Sequence, residues 1–311
     1  MCRHLGYLGP PAAVGELLTR GAHSLRTQAW APNDMRRGGT INADGFGVAW
    51  WVPAEVPSVD GSDMADGRTA GRIGGRSPIA LLASRYRNSA PIWTDPAVDE
   101  VLPQLRSTAV LGAVRSATVG MPVERSACAP FIDAGWAFSH NGVIPDWRLV
   151  LPTVAARFGA PDLLTAEAAT DSAVLWVILC AALSGIGHSR GADGHSAGSP
   201  EGAVPRADAV AEVLAAVACA VLAQAPGARL NLLLGDGETL WATTVYHSLS
   251  VLVADDFAAV ASEPYDDDPR WREIADRQVL TVRPGHLTAT PLDASPQLLS
   301  AGPAESERAR P

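Results

Sequence analysis

Met1-Cys-Arg-His-Leu-Gly-Tyr-Leu-Gly9 opens the chain, and its second residue decides the reading. Removal of the initiator methionine, expected before a side chain as small as cysteine, leaves Cys2 as the first residue. Cys2 then carries a thiol and a free α-amine together. The thiolate is a strong nucleophile, and an α-amine with an ordinary pKa of about 7.7–8.0 serves as a base near neutral pH. An N-terminal amine activating its own side chain is one known way to make a nucleophile. A bare Met-Cys start also fits a small residue heading a strand, so the weight falls on the rest of the chain.

Outward from Cys2, the patterns predict strands over residues 3–8, 45–52, 79–84, 109–115 and 136–139. A short helix is expected at 13–18 and another at 150–158. A long helix comes next over 165–183, with Thr165 as its N-cap. An Ala-rich helix covers 207–223. Strands then return at 230–234, 239–244, 249–254, 258–262 and 278–282. Two Gly- and Ser-rich stretches, 53–76 and 185–206, read as flexible loops inside the pattern, and 295–311 as a disordered tail. Strands, then helices, then strands describe an α+β layered fold, with one domain over 1–294.

The chain has 311 residues, 47% of them apolar, enough for a sizeable core. Its net charge of −9 argues against nucleic acid as a partner. All 24 basic residues are arginine, which removes a Schiff-base lysine and a phosphate-loop lysine. The four cysteines, Cys2, Cys128, Cys180 and Cys219, match no zinc-ligand spacing, and neither do His23, His188, His195, His247 and His286. No apolar leader opens the chain, and the fully apolar run 173–183 is too short to span a bilayer. The expectation is a cytoplasmic protein with no membrane partner; a homo-oligomer is left open.

Cleaving a γ-glutamyl amide needs a nucleophile, a hole for the oxyanion, and grips for the glutamyl α-carboxylate and α-ammonium. A buried arginine grips a carboxylate best, because its planar fork donates two parallel hydrogen bonds. Backbone and asparagine N–H groups make an oxyanion hole. Arg115 ends an apolar strand in Val114-Arg-Ser-Ala-Thr118. Asn141-Gly142 comes after the strand 136–139, Asp171 lies in the long helix, and Asp44-Gly-Phe-Gly47 enters a strand. Singly, each also reads as a strand-end charge, a turn or a solvated helix residue.

In this order the segments resemble the class II glutamine amidotransferases, which are N-terminal nucleophile hydrolases. The resemblance implies a four-layer α-β-β-α sandwich and no cofactor. It implies Cys2 as nucleophile, with Asn141 and Gly142 as the oxyanion hole. Arg115 and Thr118 would hold the glutamyl carboxylate and Asp171 the ammonium. No synthase domain is attached, which is similar to the free-standing γ-glutamyl amidohydrolases of ergothioneine biosynthesis. Arg115-Ser-Ala-Thr-Val-Gly-Met-Pro122 and Ser262-Glu-Pro-Tyr-Asp-Asp-Asp268 also resemble that subgroup. The implied partner is a small-molecule γ-glutamyl substrate, γ-glutamyl-hercynylcysteine S-oxide. Its trimethylammonium group would meet aromatic faces and carboxylates, for which Tyr265 and Asp266 are the candidates. A glutaminase subunit feeding ammonia to a separate synthase, and a silent binding protein, remain the alternatives.

Overall fold

Apolar residues alternate along the strands so that both faces of each sheet are buried. In the computed structural model, which describes residues 2–34, 41–55, 79–160, 162–186 and 206–294, that alternation builds four layers. The chain runs through β1 (Arg3–Ala13), α1 (Val14–Thr19), α2 (Leu25–Gln28), β2 (Phe46–Glu55), β3 (Ile79–Asn88), α3 (Ala97–Glu100) and β4 (Arg106–Val114). It continues through β5 (Phe131–Asp133), β6 (Trp136–Val143), α4 (Trp147–Arg157), α5 (Asp171–Leu183) and α6 (Arg206–Gln224). It closes with β7 (Arg229–Gly235), β8 (Leu240–Thr244), β9 (Ser250–Val253), β10 (Ala258–Ala261), β11 (Arg272–Glu273), β12 (Gln278–Arg283) and β13 (His286–Pro291).

One sheet has the order β11-β9-β10-β1-β4-β2-β3, the other β13-β12-β8-β7-β6-β5, and every pairing is antiparallel. Helices α1 to α3 cover the first sheet, packing on Leu5, Tyr7, Phe46, Val48 and Val110. Helices α4 to α6 cover the second, on Trp136, Phe138, Leu230, Leu232 and Leu234. The alternate residues Leu8, Ala49, Leu111, Ala137 and Leu233 meet between the sheets. This is the expected α-β-β-α sandwich.

The period of two decides which side chains reach the site. On β1, Leu5 and Tyr7 face the helices and Leu8 faces the second sheet, so His4 and Cys2 also point between the sheets. On β6, Ala137 faces the first sheet, which turns Asn141 toward β1 and leaves His140 on the α5 side. A Cβ at Gly6 would lie 2.8 Å from the Leu240 side chain. Glycine there lets the two sheets approach closely along β1.

Several sequence expectations need correction. The long helix starts at Asp171, not at 165: Thr170 is its cap, accepting from the Ala173 N–H at 3.2 Å. Residues 163–165 form a separate 3₁₀ turn capped by Asp162. The Asp171 carboxylate holds the helix start in place by accepting from the N–H groups of Ile144 and Ser172. Strand β2 runs through Glu55, past the expected start of the first loop; 56–78, 187–205 and 295–311 lie outside the described residues. Helix α6, 19 residues with a mean hydropathy of 1.7, is long and apolar enough to cross a bilayer. Its Val210, Leu214, Val217 and Val221 are fully buried against the second sheet and its helices.

Candidate active site

Cys2 stands at the head of β1, the strand between β4 and β10. Arg3 pairs with Val114 in the β4 register, so Arg115 ends the neighbouring strand on one side. Leu5 pairs with Ala261 on the other, which puts Ser262 and Glu263 at the opposite flank.

On the β4 flank, Cys2, Arg115, Ser139, His140 and Ser172 line one small cavity. The backbone fixes Arg115 firmly: its N–H donates to Gly45 O at 2.8 Å, and its carbonyl accepts from Asp44 N at 3.0 Å. The Asp44 carboxylate accepts from Ala117 N at 2.7 Å, clamping the turn after β4. Gly45 has φ +117, and a Cβ there would strike the Cys128 sulfur at 2.3 Å, so the Asp-Gly-x-Gly segment requires its first glycine. The Arg115 side chain is buried, and among the described residues its one side-chain hydrogen bond is to the Asp44 carbonyl at 3.5 Å. No carboxylate pairs with it among the described residues. A buried guanidinium without a counter-ion is costly, and it is what a carboxylate ligand would neutralise. The cavity is about 30 Å³, room for about one water, so a glutamyl group enters only as its walls move.

Asn141 is fully buried in β6. Its Nδ2 lies 3.3 Å from Ser262 Oγ, and its Oδ1 has no partner among the described residues. A Cβ on Gly142 would fall 1.8 Å from Arg229 O and 2.4 Å from His140 Nε2, so that position admits glycine alone. Asp171 is buried, with Ser172 Oγ 3.3 Å from its Oδ1; Ser172 in turn meets His140 Nδ1 at 3.0 Å. A chain of polar groups thus runs from Asp171 to the wall of the Cys2 cavity.

Of the expected residues, Cys2 and Arg115 line this cavity, Asn141, Gly142 and Asp171 do not, and Thr118 and Tyr265 belong to other parts of the structure. Thr118 is exposed and lines a different cavity, with Val119, Ile144 and Trp147. The chain turns outward after Ala117, and the Thr118 carbonyl accepts from Met121 N. Tyr265 is buried in the core of the first sheet, edge-on to Trp271 with ring centroids 5.0 Å apart. Trp271, not Tyr265, lines the cleft on the β10 flank.

That cleft is about 430 Å³ and is lined by Asp34, Glu263, Asp266, Asp267 and Glu273, with no guanidinium among the described residues. Asp266 accepts from the Trp271 indole at 2.7 Å, so the acid and the ring are held together. Asp268, last of the acidic run, does not line it and pairs with Arg270 at 2.6 Å. That pair lowers the Asp268 carboxyl to about 2. The buried Arg3–Glu263 ion pair, 2.9 Å, joins cleft to nucleophile, because Arg3 also donates to the Cys2 carbonyl at 3.1 Å and to that of Asp34.

The other thiols are poorly placed for attack. Burial pushes Cys128 up to about 11 and Cys180 up to about 12, and raises Cys219. Sequence reasoning passed over Ser172 and the Arg3–Glu263 pair. Ser172 directly succeeds Asp171 at a helix start, and Arg3 stands in the opening motif itself.

No protein-family model matches the chain. It is 36% identical over 292 residues to the γ-glutamyl-hercynylcysteine sulfoxide hydrolase of Mycolicibacterium smegmatis, covering 94% of this chain and 100% of that one. The Mycobacterium tuberculosis protein of the same name is 36% identical over 293 residues, covering 94% and 97%. Among solved structures, a glutamine aminotransferase class-II domain protein from Silicibacter pomeroyi superposes with a TM-score of 0.52 at 22% identity, covering 94% and 99%. Glutamine phosphoribosylpyrophosphate amidotransferase from B. subtilis gives 0.52 at 14%, over 94% of this chain and 49% of that one. These two show the shared fold. By its sequence identity over nearly its whole length, the chain belongs to the γ-glutamyl-hercynylcysteine sulfoxide hydrolase family, within the class II glutamine amidotransferase fold.

Proposed function

We propose that this chain hydrolyses the γ-glutamyl amide of γ-glutamyl-hercynylcysteine S-oxide, in ergothioneine biosynthesis, to glutamate and hercynylcysteine S-oxide. The observation that carries this reading is Arg115: a buried guanidinium with no counter-ion among the described residues, lining the same cavity as Cys2. A glutamyl α-carboxylate supplies the missing charge and brings the γ-carbonyl to the sulfur.

The Cys2 thiol attacks the γ-carbonyl carbon. Its proton passes to the α-amine of Cys2, freed when Met1 is removed, and from there to the departing amine nitrogen. The C–N bond breaks and a glutamyl thioester remains. Water then adds to the thioester carbonyl, giving up one proton through the same amine to the leaving sulfur, and glutamate departs. The oxyanion of each tetrahedral intermediate is held by the Asn141 side-chain N–H and the Gly142 backbone N–H. Asp171, which has no cationic partner among the described residues, takes the α-ammonium. The leaving half lies in the cleft of the β10 flank, where Asp266, Asp267 and the Trp271 face suit a trimethylammonium group.

The test is a comparison of kcat/KM for the sulfoxide substrate and for glutamine, with no other protein present. Fast, preferential cleavage of the sulfoxide is expected. Rapid glutaminase activity with no cleavage of the sulfoxide would instead favour an ammonia-delivering subunit. In the same assay Asn141→Ala should lower kcat by about 10²–10³, the loss typical of one oxyanion donor.

A further inference from the structure

We propose that Ser262 is a positioning residue that sets the orientation of the Asn141 side-chain amide, so that its N–H faces the reacting carbonyl. The inference rests on the oxyanion role proposed for Asn141. Hydrogen accounting carries it. Ser262 comes directly after β10, and its Oγ lies 3.0 Å from the His4 backbone nitrogen and 3.3 Å from Asn141 Nδ2. Both of those are donors. In that arrangement the Ser262 hydroxyl hydrogen has no acceptor among the described residues, while Asn141 Oδ1, fully buried, has no donor. The His4 N–H is a fixed donor and cannot reverse. The oxygen and nitrogen of an amide are told apart by their hydrogen bonds. Turning the Asn141 amide by half a turn removes both deficits at once. Ser262 then accepts from His4 and donates to Asn141 Oδ1, and Nδ2 moves to the position where Oδ1 met no donor. A buried N–H released from Ser262 is what an oxyanion hole needs.

The neighbouring asparagine shows the contrast. Asn231 stands opposite Asn141 in the β6–β7 register. Its Oδ1 accepts from the N–H groups of Val245 and His247 at 3.1 Å each, and its Nδ2 donates to His247 O and Ser248 O. That amide is fully used in holding the loop between β8 and β9. The loop in turn supports Ser262, because Ser248 Oγ donates to Ser262 O at 3.0 Å. The Ser262 backbone is therefore held independently of its hydroxyl, which bridges the His4 N–H and the Asn141 amide.

The test uses the full chain with the sulfoxide substrate. Ser262→Ala should lower kcat by on the order of 10–100-fold, the scale for groups that orient a reacting side chain, with KM unchanged. Ser262→Thr, which keeps the hydroxyl, should restore most of the rate. Ser262→Cys, which packs like serine but donates weakly, should not, and it stands in for Ser262→Ala if that variant fails to fold. Adding Ser262→Ala to Asn141→Ala should cost nothing further, because the two act through one amide. Wild-type kcat in Ser262→Ala, equal rates in the Thr and Cys variants, or additive losses in the double variant would overturn the proposal while Asn141→Ala still reads as an oxyanion donor. An Asn141→Ala variant of undiminished kcat would remove the oxyanion reading, and the proposal with it.

Discussion

On the β4 side of Cys2 lies a cavity of about 30 Å³ closed around a guanidinium with no carboxylate beside it among the described residues; on the β10 side lies a cleft of about 430 Å³ lined by carboxylates. The first is made from strand ends and a glycine-clamped turn, Asp44 to Gly47 against Arg115 to Ala117. The second is gathered from loops, with Asp34, Glu263, Asp266 and Trp271 all outside the strands. The difference in construction matches the division of the substrate proposed for the two flanks. The glutamyl half is one fixed shape and suits rigid, buried hydrogen bonds. The leaving half proposed for the second is larger and carries a trimethylammonium group that cannot donate or accept a hydrogen bond, and an open acidic wall with an aromatic face suits that group.

The largest effect expected falls on the strand between the two. Cys2→Ala should abolish turnover of every substrate, by on the order of 10⁴ or more, with the fold intact by circular dichroism. An intact-mass measurement of the active protein should show loss of one methionine. Full activity in a chain that keeps Met1 would end the role given to the α-amine.

Next comes the tight flank. Arg115→Lys keeps the charge but loses the fork, and should lower kcat/KM for the sulfoxide substrate and for glutamine alike, by about 10–100-fold. A loss confined to one substrate would mean that the two flanks do not divide the substrate between them in this way.

Then comes acid stability, which asks how firmly β1 is held between the flanks. Burial first, then the neighbouring His140, His247 and Arg3, lowers His4 from 6.5 to about 3. Both of its ring nitrogens lack partners among the described residues. The folded protein keeps His4 neutral while the unfolded chain protonates it near 6.5. Its contribution is therefore complete above pH 6.5 and is lost as pH falls toward 3, by up to about 1.4 kcal/mol per pH unit. Denaturant titrations from about pH 7 to about pH 5 should show that slope, and His4→Leu should flatten it by one proton. An unchanged slope in the variant would place His4 in a wetter setting than a sealed gap between the sheets.

The smallest effect belongs to the open flank. Replacing Asp266 and Asp267 together by Asn should raise KM for the sulfoxide substrate, which carries the trimethylammonium group, by about 3–10-fold and leave glutamine unaffected, an effect that shrinks as salt is added. An equal loss for both substrates would make the segment a support of the fold.

How legible these two flanks were in the sequence differs as their construction does. Cys2, Arg115, Asn141 and Asp171 were singled out by short ordered motifs that resemble a family, since each alone also read as a strand-end charge, a turn or a solvated helix residue. The order of strands and helices supported only an α+β layered fold, and the four-layer sandwich came from the family resemblance. Thr118 was misplaced because three residues beyond a strand end the chain had turned outward, and no periodicity records that turn. The start of α5 was misjudged because Thr165 and Thr170 are equally good caps by type. Asp171, anchored to the Ile144 N–H across space, settled the choice. Trp271 stands where Tyr265 was expected for a similar reason: in a loop, composition says which rings are near but not which one faces out. Ser262 was visible within a motif, yet its role depends on the sum of donors around one oxygen, which only three dimensions supply.

The Arg3–Glu263 pair has a consequence for redesign. Arg3 bonds the Cys2 carbonyl with one nitrogen and Glu263 with another. Glu263 also accepts from Asn33 N at 2.7 Å. An engineer seeking a new leaving-group preference would find the cleft wall divided into replaceable and fixed parts. Asp266, Asp267 and Trp271 are separate from the nucleophile and form a palette for altered selectivity. Glu263 shares the same wall but also anchors the backbone under the thiol, so libraries that randomise it should return mostly inactive clones.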